Sequence, residues 1–386
     1  MHPTQDGATA SRRFATFAQE TRHTSPLYAH LSVALAANEG AAAIIDLAPL
    51  AQRRATLLFA AVHDLLLRGV EQGALAAYYR SVGGDRAPDA AATAAFLKVL
   101  DRHRDAIVDR LRTRSTQTNE PGRTAGLLAA LSWLQTRTGP DRGAVDARRL
   151  ALVEVGTSAG LLLHLDRYTH RFVANPKGAG RGPATLPVHG QGSPSPVVIE
   201  TTCLAQVPDT RLAPVDRRIG IDRTPMNVGD PDDRAWLRAC VWPEHVERLT
   251  RLDAAVSLAA THDDIERHQG DLFDLLEPVI AAIDPDLQVV VLHSATLAYL
   301  APDDRGRFEA MVDRIGTRRA LWRVGLEGHF LEPFAGLVAR RLGPPDADQP
   351  GFVIATTHWV HGRRHDAALG RVQSHGGWLR FAPPTR

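Results

Sequence analysis

The sequence predicts an α/β protein: a helical N-terminal region followed by a mostly parallel sheet with an antiparallel C-terminal edge. Three observations predict it. Residues 1 to about 148 are rich in Ala, Leu and Arg, with apolar residues at three-to-four spacing and no stretch of strand character. From Leu150 onward, short apolar runs alternate with helical segments, the pattern of strands joined by crossover helices. Near the end, Phe352–Val360 and Ala367–Gln373 follow one another closely enough for a hairpin at the edge of such a sheet.

The 386 residues suffice for two domains, and the change of pattern places the division at 148, with 1–148 an all-helical cap and 149–386 the sheet domain. The helical candidates are Leu27–Ala37, Leu47–Leu67, Ala90–Leu111 and Ala125–Gln135, punctuated by Gly83-Gly84 and Gly139-Pro140. In the second domain, Leu150–Val155 is a strand ending at a Gly-rich turn, and Leu161–Tyr168 continues with helical spacing. Residues 176–214 are loaded with Gly and Pro and read as an insertion with at most one strand, Val197–Thr201. Arg218–Asp222 is a strand, Asp233–Leu258 a helix, and a further helix starts near Gly270-Asp271. Gln288–His293 is a β-branched run suited to a buried parallel strand; a helix over Asp303–Arg314 and a strand over Ala320–Glu327 follow.

Bulk properties narrow the function. The formal charge of +2 gives no electrostatic reason for a nucleic-acid or membrane partner. The longest apolar runs, Leu57–Leu67 and Val289–Ala301, fall short of the roughly 20 residues of a membrane span, and Met1–Phe14 has no apolar signal core. The two cysteines, Cys203 and Cys240, lie outside any CxxC or metal spacing. A soluble cytoplasmic protein acting on a small molecule is the expectation; oligomeric state is not readable.

The sharpest motif is Leu152-Val-Glu-Val-Gly-Thr-Ser-Ala-Gly-Leu161. A buried strand ends in an acid, Glu154; a turn with Gly156, Ser158 and Gly160 follows, small enough for close backbone approach to a ligand; then a helix starts. The acid suits a polar ligand end such as an amino group or a ribose. The same residues spell G-x-S-x-G, the nucleophile elbow of α/β-hydrolases with Ser158 as nucleophile. Against that stands the helical character of everything before residue 150, where that fold needs strands, and the lack of an HGGG-type loop.

Four further clusters carry chemistry. Asp222, ending Ile219-Gly-Ile-Asp222, either stands where a carboxylate holds a ribose diol or belongs to a surface turn before Pro225; its distance from the Gly-rich turn exceeds the usual ~20 residues, an excess that an insertion at 176–214 would account for. Asp271 in Gln269-Gly-Asp-Leu272-Phe273 can accept from an adenine amino group with Leu272 flanking the ring, or simply cap the next helix. His293 lies at the end of a buried strand, a candidate base as well as a candidate wall residue, with Tyr299 shortly after it. The cluster Thr116-Gln117-Thr-Asn119-Glu120-Pro-Gly-Arg123 is either a helix cap or a lid supplying an amide, a carboxylate and a guanidinium. His358, His361 and His365 lack a carboxylate at zincin spacing, so no metal site is expected.

These pieces, with Ser25-Pro-Leu-Tyr28, Ala60-Ala-Val-His63-Asp-Leu-Leu-Leu-Arg-Gly69, Asp166-Arg-Tyr168, Pro225, Val241-Trp-Pro243, Ala298-Tyr-Leu300 and His375-Gly-Gly-Trp378, resemble the bacterial family called domain of unknown function 2332. That family looks like the Rossmann-like S-adenosylmethionine (SAM) methyltransferase fold with a helical N-terminal extension. The resemblance implies SAM as cofactor, with Glu154, Gly156, Ser158 and Gly160 around its methionine end, Asp222 on the ribose and Asp271 with Leu272 at the adenine. It implies methylation of a small molecule, with Gln117, Asn119, Arg123 and Tyr299 toward the acceptor and His293 or Glu120 as the base where one is needed. Ser158 stands where a glycine is usual, and no Asn/Asp-Pro-Pro-Tyr motif follows the fourth strand, so transfer to an exocyclic base nitrogen is not implied. The alternatives are a serine hydrolase at Ser158 and a non-catalytic protein that senses a nucleotide-like ligand.

Overall fold

The computed structural model describes residues 9–138, 148–175, 186–188, 195–329, 331, 335–343 and 351–384. Gly139-Pro140 and part of the expected insertion, 176–185 and 189–194, lie outside the described residues. The chain divides into two compact units. One comprises residues up to Thr118 together with Asn227–Asp253; the other comprises Asn119–Met226 and Ala254–Arg386.

The helical unit contains α1 (Ala10–Thr21), α2 (Pro26–Ala36), the single turn α3 (Glu39–Ala42), α4 (Ala55–Leu67), α5 (Ala90–Arg102) and α6 (Arg104–Thr113). Its starts are written in the sequence. Thr9, Ser25, Asn38 and Asp89 cap α1, α2, α3 and α5, each accepting from a backbone N–H of the first turn, and Pro26 opens α2. α4 is apolar nearly all round and correspondingly buried. Aromatic rings fill the interior: Tyr28 stacks on Phe59 at 4.3 Å between centroids, and Phe14 meets Phe59 edge-on at 6.1 Å.

The sheet unit carries α7 (Thr124–Thr138) and eleven strands: β1 (Leu150–Val155), β2 (Thr169–Ala174), β3 (Leu186–Val188), β4 (Val198–Cys203), β5 (Val215–Asp222), β6 (Ile265–Gln269), β7 (Gln288–Ser294), β8 (Leu321–Glu327), β9 (Phe352–Val360), β10 (Arg363–Val372) and β11 (Trp378–Phe381). The region Asp233–Leu258, expected as one helix, is α8 (Pro231–Ala239) and α9 (Val246–Thr261), because Pro243 interrupts it. α10 (Leu272–Ala281), α11 (Pro302–Gly316) and α12 (Ala335–Leu342) complete the described helices.

The strand order is β3-β2-β4-β11-β10-β9-β8-β7-β1-β5-β6. Six of the ten pairings are parallel, among them the whole run β8-β7-β1-β5-β6, so the sheet is mixed but mostly parallel. β1, β7 and β8 are buried along their full length, which explains their unbroken apolar runs. Val153, Ile219, Val289 and Val291 pack with Leu276 and Ile280 of α10 and with Phe308 and Val312 of α11. The apolar helix α7 packs against β8, β9, β10, β11 and β4.

Two expectations need correction. The antiparallel strands β9, β10 and β11 do not form the edge. β11 pairs in parallel with β4 (Trp378 beside Thr202), which is the strand expected at Val197–Thr201, and β2 and β3 extend the sheet further, so the segment after β1 supplies the far edge of the sheet. Leu161–Arg167 is a 3-10 segment kinked at His164 instead of an α-helix. The buried Tyr168 hydroxyl donates to the Leu161 carbonyl at 2.6 Å, and the chain then enters β2 at Thr169.

Candidate functional site

The carboxyl ends of β1, β5, β7 and β8 gather the polar residues that the sequence singled out. β1 is the strand at which the order reverses: the chain places β5 and β6 on one side of it and β7 and β8 on the other. In open α/β sheets ligands bind at the carboxyl ends around such a reversal.

The turn after β1 is tightly made. Gly156 and Gly160 have φ of +73° and +77°. A Cβ on Gly156 would lie 2.7 Å from Thr296 Oγ1, and one on Gly160 would lie 2.7 Å from Ile265 Cδ1. Ser158 between them also takes a left-handed φ, +52°, which costs an L-residue about 1–2 kcal/mol. Its hydroxyl is buried and has no hydrogen-bond partner.

Five backbone donors of this turn, those of Gly156, Thr157, Ser158, Gly160 and Leu161, are committed to the protein. Gly156 N and Thr157 N donate to Ile221 O at 2.8 and 3.3 Å, Gly160 N donates to Thr157 O, and Leu161 N donates to Asn119 Oδ1 at 2.7 Å. Ser158 N donates to Asp222 Oδ2 at 2.9 Å, across from β1 to β5. Glu154 is buried and accepts from Thr157 Oγ1 at 2.8 Å. Burial pushes its carboxyl up to about 8; the charge of Asp222 adds to this, and the Thr157 hydrogen bond and Arg123 oppose it. Glu154 is therefore mostly protonated at neutral pH.

Asp222 accepts Ser158 N on one oxygen and Thr224 N at 2.9 Å on the other. At the end of the neighbouring β6, Asp271 caps α10 through Phe273 N at 2.9 Å and pairs with Arg223 at 2.6 Å. Burial works against the ionised form, but those two contacts hold the Asp271 carboxyl below the usual range. Leu272 is half-buried against the core beneath α10.

His293 is buried and locked on both sides. Nδ1 lies 2.8 Å from Glu327 Oε1, and Nε2 accepts from Arg323 Nε at 2.9 Å. Burial and then the Arg323 charge lower its pKa, so the ring is neutral, with its proton on Nδ1 toward Glu327. Both nitrogens are engaged, which makes it a wall residue in this arrangement.

The cluster read as a cap or a lid is built into the structure as a brace. Asn119 Nδ2 donates to Thr157 O at 3.2 Å while its Oδ1 takes Leu161 N. Glu120 Oε1 accepts Gly122 N at 3.0 Å, and its other oxygen lies 3.9 Å from His375 Nδ1. Arg123 donates to Ser374 O at 3.1 Å and Ser294 O at 3.4 Å. Gln117 is half-buried and donates from its backbone to Cys240 Sγ at 3.5 Å. Tyr299 is exposed, in the turn that follows β7.

Four residues with a clear part in this region were not singled out from the sequence: Thr157, Thr296, Arg323 and Glu327. Glu327 had a signal. Leu321-Trp-Arg-Val-Gly-Leu-Glu327 is a buried strand ending in an acid, as Leu150–Glu154 is. Its Oε1 takes His293 and also Thr296 N and Leu297 N at 3.0 and 3.2 Å. Beside it a small cavity is lined by Gly325, Glu327, Gly328, His329, Leu331, Val338, Val353 and Ala355. Of the late histidines, His358 and His365 stack at 5.0 Å while His361 sits in the following turn; among the described residues no group of three or more His, Cys, Asp or Glu is arranged to hold a metal. None of the described helices is long and apolar enough to cross a membrane.

Fold and site together define an α/β protein with a mostly parallel sheet whose polar residues collect at the carboxyl ends of its central strands. The chain belongs to the bacterial family described as "uncharacterized protein conserved in bacteria (DUF2332)", which matches residues 11–381. No curated protein matches it.

Proposed function

We propose that this chain binds S-adenosylmethionine at the carboxyl end of β1 and methylates a small molecule. The observation that carries the reading is the Ser158 N–H to Asp222 Oδ2 bond of 2.9 Å, which joins the Gly-rich turn after β1 to the acid that ends β5. The all-parallel order β6-β5-β1-β7-β8, with its reversal at β1, supports a Rossmann-like reading, in which a nucleoside is held at that reversal.

The residues present fit this cofactor better than a dinucleotide. Pyrophosphate needs several free N–H groups at the turn, whereas those of Gly156, Thr157, Ser158, Gly160 and Leu161 are taken by Ile221, Thr157, Asp222 and Asn119. A ligand with a ribose and no phosphate needs carboxylates instead. Each oxygen of Asp222 has one backbone donor and a lone pair left for a hydroxyl. Asp271, at the end of the adjoining strand, is in the same position toward an adenine amino group, with Leu272 at the ring. When bound, the cofactor supplies an electrophilic methyl group on a sulfonium. The protein's part is positioning, worth many orders of magnitude when two reactants are held in line. His293, with both nitrogens occupied, serves in that scheme as wall rather than base.

A second reading, a serine hydrolase, draws on one observation: Ser158 has the left-handed φ expected of a nucleophile elbow. Its hydroxyl meets no histidine or other acceptor, so nothing stands ready to take its proton.

The test is the thermal unfolding midpoint of the full chain with SAM and with its demethylated product. A ligand at ~100 times its Kd adds about 2.7 kcal/mol, a rise of several degrees. A saturable rise that is lost in Asp222→Asn and kept in Ser158→Ala supports the reading; no rise at millimolar ligand removes it. Labelling of Ser158 by a serine-directed probe would turn the assignment to the hydrolase, and cofactor binding without methyl transfer in cell extract would turn it to a sensor.

A further inference from the structure

Glu327 holds the clearest unmet polar group in the sheet unit. Its side chain is 4% exposed. One oxygen receives three donors, His293 Nδ1, Thr296 N and Leu297 N, while the other, Oε2, is buried with no partner. Burying a carboxylate oxygen without a donor is costly, and such atoms in folded proteins generally mark a water, an ion or a ligand. Glu327 also lines the cavity at the end of β8, whose other walls include the apolar side chains of Leu331, Val338, Val353 and Ala355. That cavity is partly open and has room for about one water-sized group.

Charge selects among water-sized donors. Behind Glu327, neutral His293 leads to Arg323, which pairs with Glu309; Arg364 pairs with Glu309, Asp313 and Asp366. The line thus holds four carboxylates and two guanidinium groups, an excess of two negative charges, and the end that faces the cavity is a carboxylate. A cation is favoured over a neutral donor there. We infer that the cavity beside Glu327 seats the primary ammonium end of a ligand, which donates to Glu327 Oε2 while the rest of the molecule extends out through the mouth. The cavity adjoins the turn after β1 through Thr296, whose N–H donates to Glu327 Oε1 and whose hydroxyl donates to Val155 O.

The probes are ammonium and methylammonium chloride, against tetramethylammonium chloride and sodium chloride at the same ionic strength, with the unfolding midpoint of the full chain as readout. Tetramethylammonium has no N–H and is too large for a water-sized space. The expected result is a saturable rise with ammonium and methylammonium only. Glu327→Gln keeps an oxygen for His293 and the two backbone donors but turns the free acceptor into a donor, and should weaken methylammonium at least about tenfold. Ala355→Val fills the cavity from β9 without touching the charge line and should weaken it likewise, which keeps the test decisive if Glu327→Gln folds poorly. Equal shifts with tetramethylammonium, or an undiminished response in both variants, would overturn the inference. So would a crystal grown in methylammonium chloride that shows only an ordered water on Oε2.

Discussion

Asn119 holds Leu161 by its backbone: the Asn119 Oδ1 accepts Leu161 N–H at 2.7 Å, and the same amide group donates to Thr157 O at 3.2 Å. One buried side chain thus closes both sides of the Gly-rich turn from 42 residues away in sequence. The turn's shape is set by this brace and by Asp222 as well as by its glycines.

Asn119→Ala should therefore destabilise the protein sharply. It leaves a buried N–H and a buried C=O without partners, each worth about 1–3 kcal/mol. The expected loss is roughly 2–5 kcal/mol in denaturant unfolding. A loss under about 1 kcal/mol would show that the turn holds its shape without the brace.

Ser158→Gly should be neutral or stabilising by up to about 1 kcal/mol. Glycine takes φ of +52° without steric cost and removes a buried hydroxyl that has no partner; its greater freedom in the unfolded chain offsets part of the gain. The midpoint of Ser158→Ala, which keeps the strained φ, should fall below that of Ser158→Gly. The reverse order would mean that Ser158 is not held in a left-handed conformation.

Gly122→Ala should be severe. A Cβ there would lie 2.1 Å from the His375 carbonyl oxygen, and a Cβ on Gly376 would lie equally close to Gly122 O. Backbone meets backbone, so no side chain can swing away. We expect a loss above about 3 kcal/mol, or failure to accumulate as folded protein. The same junction is tied a second time, where Arg123 donates to Ser374 O.

What the sequence made legible were features with a local signature. The unbroken apolar runs of β1, β7 and β8 and the Gly-rich turn are each visible in a short window. What it hid depends on distant partners. The strand at Val197–Thr201 is legible, but its place in the sheet is not: β4 pairs with β2 on one side and on the other with β11, some 175 residues later. Asn119, Glu120 and Arg123 are polar and look exposed, yet they are buried because carbonyls from three other segments, at Thr157, Ser294 and Ser374, and the nearby Gly122 N–H meet them. His293 looked available because Arg323 and Glu327, which occupy its ring, come from the next strand.

The buried histidines predict acid sensitivity. Burial lowers His63 and His170 to about 4, as it does His358, where the neighbouring His365 adds to the effect. Each folded-state value lies below the unfolded 6.5, so the unfolded chain takes up the proton first. Their contribution is fully present above pH 6.5 and is lost as pH falls toward 4, at about 1.4 kcal/mol per unit for each ring. His63→Gln, which keeps a donor for Ala239 O and an acceptor for Ser81, should flatten this limb by about one such slope. An unchanged slope would mean that His63 is protonated in the folded state.

Glu154 produces a slope of the opposite sign. Its folded value, about 8, lies above the unfolded one near 4.5, so the folded protein keeps a proton that the unfolded chain gives up. Its contribution is whole below pH 4.5 and declines as pH rises to about 8, again by about 1.4 kcal/mol per unit, after which the folded state ionises too and the decline stops. Unfolding free energies of wild type and Glu154→Gln measured from pH 6.5 to 9 isolate it, since the histidine limb is flat there. Glutamine keeps the acceptor for Thr157 Oγ1 and cannot ionise, so the difference between the two proteins should grow in the variant's favour up to about pH 8 and then level off. A parallel pair of curves would place an ionised carboxylate in the interior at neutral pH, and Glu154 would then be poised to hold a cationic ligand group instead of a proton.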